Sequence, residues 1–273
     1  MTVAVVARLR AAGCVAAEEE ATELLDGAPD AVTLEARLRR REQGEPLAWV
    51  TGRTRFCGRS VRVAPGVYVP RPHTETLARR AAAVLPLHGR ALDLCTGTGA
   101  VAVHLMRERP AARVVGLDID ERAADCARPN GVLTGVGDAG APPLRGPFDV
   151  VTMVPPYVPT TDLRFLARDV QRYEPRRALD GGPRGLDVIE RALTACRPLL
   201  RPGGWFFTEL GGDQHETLRP VLAATGFVIE EVLRDHDGDL RGIACRYDVA
   251  AKAAPSLPRS ILAWSPLGAR RQA

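Results

Sequence analysis

The chain has 273 residues, enough for one large domain or a medium domain with a small partner. A composition of 45% hydrophobic and 26% charged residues is that of a globular protein and excludes a disordered or low-complexity chain. With 37 basic against 33 acidic residues the formal net charge is +4, so a strongly basic nucleic-acid surface is not expected.

Nearly all the basic charge is arginine; Lys252 is the only lysine. The six cysteines, at 14, 57, 95, 126, 196 and 245, are scattered without CxxC or zinc spacing. They read as reduced thiols packed as small hydrophobes, and no metal site is expected. The start, MTVAVVARLRAAG, is a short amphipathic run and not a secretion signal. No apolar run approaches the ~18 residues that a membrane helix needs. The expected location is the cytoplasm.

In chain order, residues 2 to about 43 read as helical. Val5, Val6, Leu9 and Ala12 recur at helical spacing, and Glu23 to Leu25 carry a second helix that Asp26-Gly27 and Pro29 end. Leu34, Leu38 and the run Arg39-Arg40-Arg41 give a third, the arginines reading as a solvated helix end. Gly44-Glu45-Pro46 breaks the pattern. FCGRSVRV, residues 56 to 63, alternates like a strand, with Gly66 to Val69 as its expected partner.

From about residue 74 helices and strands alternate. Helices are expected over 74–85, from Ala100 to about Arg109, through Cys126, over 186–200 and over 216–224. Strands are expected over 91–94, 113–117, 132–136, 148–154, 204–210, 227–234 and 240–247. This alternation predicts a parallel sheet covered on both faces, with one antiparallel strand from the closing hairpin. The tail from Ala250, rich in Pro, Ala and Arg, is expected to be poorly ordered.

DLCTGTGA, Asp93 to Ala100, is a strand, a glycine turn and a helix start. Ligands of open parallel sheets bind beyond the carboxyl ends of the strands. Gly97 and Gly99 allow a tight turn and close approach of a ligand. The stretch lacks the third glycine of a dinucleotide fingerprint and the GK[ST] of a P-loop. Asp93 suits a positive or neutral head group, Asp118 could accept from both ribose hydroxyls, and Asp138 could take an adenine amino group. A strand-end Asp also serves as a helix N-cap. Three in succession form the pattern of an S-adenosylmethionine pocket.

With VPRPHTE and VPPY added, the chain resembles the HemK/PrmC family of protein-(glutamine-N5) methyltransferases. The likeness runs over about residues 35–247 through RRREQGEPLAWVTG, VYVPRPHTE, LDLCTGTGAVAVHL, GLDID, FDVVTMVPPYVP, YEPRRALDGGPRGLDV, GGWFFTELGGDQ and DGDLRGIACRY. The resemblance implies an α/β class I methyltransferase fold, doubly wound around a mostly parallel seven-stranded sheet. It implies a helical substrate-recognition domain at 1–54, a β-hairpin linker at 55–73 and the methyltransferase domain at 74–249. The cofactor would be S-adenosyl-L-methionine, held by Asp93, Gly97, Gly99, Asp118 and Asp138, with Arg71, Thr74 and Glu75 near its methionine end. The substrate site would be Val154, Pro155, Pro156 and Tyr157, with Glu174 beside it; Val154, Pro155 and Tyr157 would do the chemistry. The expected acceptor is the glutamine of a peptide-chain release factor, and the protein would act as a monomer.

Three positions depart from the family. Cys95 stands where Gly is usual, His73 where Glu is usual, and Val154 replaces the motif Asn. An amide nitrogen is a poor nucleophile because its lone pair is delocalised. In NPPY the Asn oxygen and the next backbone carbonyl hold the NH2 so that the lone pair faces the methyl group. Val154 has no acceptor. Losing one such group costs roughly 10²–10³ in rate. Either Thr152 or Glu174 supplies a replacement, or the acceptor is a better nucleophile such as an amine, or the protein binds without efficient catalysis. A small-molecule N-methyltransferase is the main alternative. An adenine methyltransferase would need base flipping and a target-recognition part that this chain lacks room for.

Overall fold

A computed structural model of the chain describes residues 2–235 and 237–249. Helices α1 (Thr2–Ala11), α2 (Ala17–Asp26) and α3 (Ala31–Glu42) pack with the short α4 (Leu47–Thr51) around Leu9, Leu24, Leu34, Leu38 and Val50. Asp30 caps α3 by accepting from the Thr33 N–H at 2.7 Å. Of the arginine run only Arg39 is an exposed, solvated side chain; Arg40 and Arg41 are tied inward. Arg41 pairs with Glu20 of α2 at 2.6 Å, and Arg40 pairs with Glu45.

The hairpin differs from the sequence reading. Its strands are β1 (Arg53–Phe56) and β2 (Arg59–Arg62), paired antiparallel with Phe56 opposite Arg59. Cys57 and Gly58 form the turn, at φ +48° and +72°. Two left-handed residues are what a tight hairpin requires. A cysteine rarely takes that conformation, so the alternation of 56–63 reads as one strand. The expected partner at 66–69 is not a strand; Val67 is buried beside Ala123 and Cys126, and its carbonyl accepts from Trp49 Nε1 at 2.9 Å.

The remainder runs α5 (Thr74–Val84), β3 (Arg90–Leu94), α6 (Ala100–Glu108), β4 (Arg113–Asp118), α7 (Glu121–Ala127), β5 (Leu133–Val136) and β6 (Phe148–Met153). It continues through α8 (Arg168–Tyr173), α9 (Asp187–Cys196), β7 (Leu200–Glu209), α10 (Gln214–Thr225), β8 (Phe227–Arg234) and β9 (Leu240–Tyr247). The helix expected to reach residue 200 stops at Cys196, two residues before Pro198, which cannot continue its hydrogen bonding. Leu200 and Arg201 belong to β7 instead.

The seven strands lie in the order β5-β4-β3-β6-β7-β9-β8. Neighbours from β5 to β7 are parallel, and β9 runs antiparallel to β7 and β8. Successive residues of a strand point to opposite faces. Val151, Met153 and Phe206 therefore face α9 and α10, where Ile189, Leu193 and Leu218 meet them. Val150 and Phe207 face α5 and α6, against Leu77, Ala81 and Leu105. Burial on both faces explains why β6 is mostly apolar; its polar residues, Asp149 and Thr152, are paired with Arg201 and Asp93. Among the described residues no helix is long and apolar enough to cross a membrane. The tail from Ala250 lies outside the described residues.

Candidate active site

β3 has β4 on one side and β6 on the other, so the chain order reverses at β3. Ligand crevices of doubly wound sheets open at such a reversal, beyond the strand ends. A cavity of about 910 Å³ lies there. Asp93, Gly97, Asp118 and Asp138 line one end; Arg71, His73, Val154 and Tyr157 line another part.

The glycine turn is built by the acids around it. Asp93 is buried and accepts two hydroxyls, Thr96 Oγ1 at 2.6 Å and Thr152 Oγ1 at 2.7 Å. Burial pushes its carboxyl up to about 6, against the pull of those two bonds. Asp118 accepts the Gly97 N–H at 2.8 Å and the Asp120 N–H at 2.9 Å, and burial raises its carboxyl too. Gly97 has φ +55° with no atom within 4 Å of where a Cβ would stand. Gly99 has φ +79°, and a Cβ there would lie 2.8 Å from Val132 Cγ2. The first glycine leaves room for a ligand and the second packs the turn on Ala127 of α7 and on Val132, just before β5. Cys95 is left-handed at φ +53°, a conformation that costs a non-glycine residue about 1–2 kcal/mol. Burial and the neighbouring carboxylates Asp118 and Asp93 push its thiol well up, which disfavours the thiolate. Asp138 accepts the Gly140 N–H at 2.8 Å and pairs with Arg191, which also lines the cavity.

At the other end β6 runs directly into Val154-Pro155-Pro156-Tyr157. Val154 packs on the α5 side of the sheet, and Tyr157 packs beside the α9 side. The turn is held from behind. Gln214 donates to the Tyr157 carbonyl at 2.8 Å and to that of Arg184 at 3.0 Å. Val158 N–H reaches the Leu179 carbonyl at 3.0 Å, and Gly181 N–H returns to the Val158 carbonyl at 2.9 Å. The ALDGGPRG segment is thus a wall fixed to the PPY turn.

Arg71 and Glu174 form a partly buried ion pair at 2.5 Å, with the guanidinium 4.9 Å from the centre of the Tyr68 ring. Burial raises the Glu174 carboxyl, and Arg71 opposes that rise. Glu174 Oε2 has no hydrogen-bonding partner among the described residues. Thr152, a candidate replacement for the motif Asn, is fully buried with its hydroxyl committed to Asp93, so it cannot hold a substrate. Glu75 is not in the cavity wall; it accepts the Cys57 N–H at 2.8 Å and pairs with Arg79, tying the hairpin to α5.

Glu209 escaped the sequence reading, and His73 was noted there only as a departure from the family. Glu209, at the end of β7, is fully buried and accepts the Thr74 hydroxyl at 2.6 Å; His73 Nε2 lies 3.0 Å from its other oxygen. The available signal was that Glu209, like Asp93 and Asp118, is an acid at the end of an apolar strand.

The chain matches the methyltransferase domain family over residues 91–173. It is 34% identical over 236 residues to a release factor glutamine methyltransferase of Bradyrhizobium diazoefficiens, covering 82% of this chain and 78% of that protein. It is 39% identical over 202 residues to the 4-amino-L-phenylalanine/4-methylamino-L-phenylalanine methyltransferase of Streptomyces pristinaespiralis, covering 69% of each. Among solved structures it resembles the ribosomal protein L11 methylase of Lactobacillus delbrueckii subsp. bulgaricus, with a TM-score of 0.50, 18% identity, and coverage of 69% of this chain and 85% of that one. That last likeness concerns the fold: a class I methyltransferase sheet.

Proposed function

The chain belongs to the release factor glutamine methyltransferase family and is an S-adenosylmethionine-dependent methyltransferase, and from that premise we propose that it methylates the side-chain amide of a glutamine in a peptide-chain release factor. The observation that carries the reading is the junction of two sites in one cavity: the acid-lined glycine turn at the ends of β3 and β4, and the VPPY turn at the end of β6.

The cavity fits the cofactor. Its acceptors Asp93, Asp118 and Asp138 follow three neighbouring strands, and the ammonium, ribose diol and adenine amino group of S-adenosylmethionine are all donors. The open space before Gly97 admits a ligand against the backbone. The Thr98 hydroxyl is buried in the cavity wall without a partner among the described residues. Arg71 and Thr74 stand in the loop toward the methionine end, where they fix that loop through Glu174 and Glu209. When bound, the cofactor supplies an electrophilic methyl group on a sulfonium.

The protein's task is then positioning, which can contribute several kcal/mol to a transfer of this kind. The Pro155 carbonyl accepts from the acceptor NH2, and the Tyr157 ring packs on the flat amide. The helices α1 to α4 receive the protein substrate, and the wall from Leu179 to Gly185 keeps the PPY turn in place. The enzyme works in the cytoplasm as a monomer.

A second reading has its own support. Val154 offers no hydrogen bond, and an aryl or alkyl amine needs less help than an amide. The relative from Streptomyces is, by its name, a methyltransferase of an aromatic amine. Incubation with S-adenosylmethionine and either a release factor or 4-amino-L-phenylalanine, followed by mass spectrometry, separates the two. Methyl on the factor supports the amide reading, and methyl on the amino acid alone replaces it.

A further inference from the structure

The parallel register of β6 and β7 pairs Met153 with Thr208. Extending that register by one residue puts Val154, just past the end of β6, opposite Glu209 at the end of β7. They face the same side of the sheet: Val154 shares its face with Val150, and Glu209 shares its face with Phe207, both in the core under α5. The buried carboxylate next to the missing Asn holds His73, which lines the cavity.

A carboxylate offers only acceptors. Thr74 donates to Glu209 Oε2 at 2.6 Å, so Oε1 is left for His73 Nε2 at 3.0 Å. With Glu209 as a carboxylate, a neutral His73 makes this contact through an Nε2 proton, which leaves Nδ1 with the lone pair. This is the arrangement of a carboxylate-oriented imidazole base.

Methylation of an NH2 group must release one proton for each methyl taken up. We propose that His73, oriented by Glu209, is the proton acceptor for that step and replaces the hydrogen-bond acceptor that Val154 lacks. The nitrogen lone pair forms the new bond to the methyl carbon, and the donor sulfur keeps the electron pair of the bond it loses. The N–H bond then breaks with its pair returning to nitrogen, and the proton passes to His73 Nδ1 and on to water. His73 is the catalytic residue and Glu209 the positioning residue. This assignment rests on the N-methyltransferase reading and holds for an amide or an amine acceptor.

The charged and titratable groups around the pair are Glu75 on α5, Tyr157 after β6, Tyr68 and Arg71 in the preceding loop, Glu174 paired with Arg71, and Arg241 on β9. Asp93 and Asp118 in the same cavity also have raised carboxyls, so the assignment is read from the His73 variants and the tautomer and not from a pH profile.

The test has two parts. In the free protein, at a pH where the His73 ring is neutral, long-range proton–nitrogen NMR should show its proton on Nε2, and Glu209→Gln should mix the tautomers. In single turnover with the acceptor that wild type methylates, His73→Gln should lower the rate about 100-fold with little change in KM. Exogenous imidazole should restore part of the rate to His73→Ala. Calorimetry should give both variants the wild-type affinity for S-adenosylmethionine. A proton on Nδ1 in the wild type, or a His73→Gln rate within about threefold of wild type, overturns the assignment. Failure of wild type to methylate either acceptor overturns the substrate reading instead, and the NMR result still judges the pair.

Discussion

The Thr152 hydroxyl donates to Asp93 Oδ1 at 2.7 Å across the paired strands β6 and β3. This bond links the strand that leads into VPPY to the acid that opens the glycine turn. Thr152→Val removes the donor and leaves a buried carboxylate with Thr96 alone. The expected loss is about 1–3 kcal/mol of stability, read from urea denaturation, with weaker cofactor binding in calorimetry.

Asp93 also sets a pH dependence. Its carboxyl lies at about 6 in the fold against an ordinary 3.8, chiefly through burial. A group raised on folding stabilises the fold fully below its unfolded value, and that contribution is lost as the pH rises through about 6. Binding of a cationic cofactor has the opposite sign, because it favours the ionised carboxyl. Affinity for S-adenosylmethionine should therefore rise between pH 5 and pH 7, roughly the window around that value. Asp93→Asn should flatten most of the slope; Asp118, also raised by burial, supplies the remainder.

The two glycines of the turn should separate. Gly99→Ala places a Cβ against Val132 and Ala127 and should destabilise the protein by about 2–3 kcal/mol. Gly97→Ala meets open space. It should cost about 1 kcal/mol of stability for its left-handed backbone while reducing cofactor affinity tenfold or more, since the new methyl occupies ligand space. Thermal melts with and without cofactor distinguish the two.

The architecture was legible because the sheet is written locally. Alternating helices and strands, an apolar β6 and strand-end acids each carry their meaning within about ten residues. The hairpin was misread because Cys57 sits in a left-handed turn that its residue type does not announce. Arg40 and Arg41 were misread because Glu45 and Glu20 become their partners only when α2, α3 and the segment before α4 pack; Arg39 is exposed as expected. His73 and Glu209 lie 136 residues apart, and only the docking of α5 on β7 brings them together. The Thr152 hydroxyl looked available until the register placed it on Asp93.

The Arg71–Glu174 pair gives a further check. Arg71→Ala leaves a buried carboxylate uncompensated and should cost about 3 kcal/mol. The 70–75 loop should loosen, and amide exchange at Thr74 and Glu75 should accelerate.

The central claim is that this chain, with Val154 in the motif, still methylates the release-factor glutamine. Purified protein should be incubated with S-adenosylmethionine and a release factor, with Val154→Asn run beside it, and the product mapped by fragmentation mass spectrometry. The account predicts a single methyl on the glutamine of the GGQ motif from the wild type, and a rate about tenfold higher or more for Val154→Asn, which regains an acceptor. A factor left unmodified by the wild type would contradict it, whether or not Val154→Asn adds a methyl.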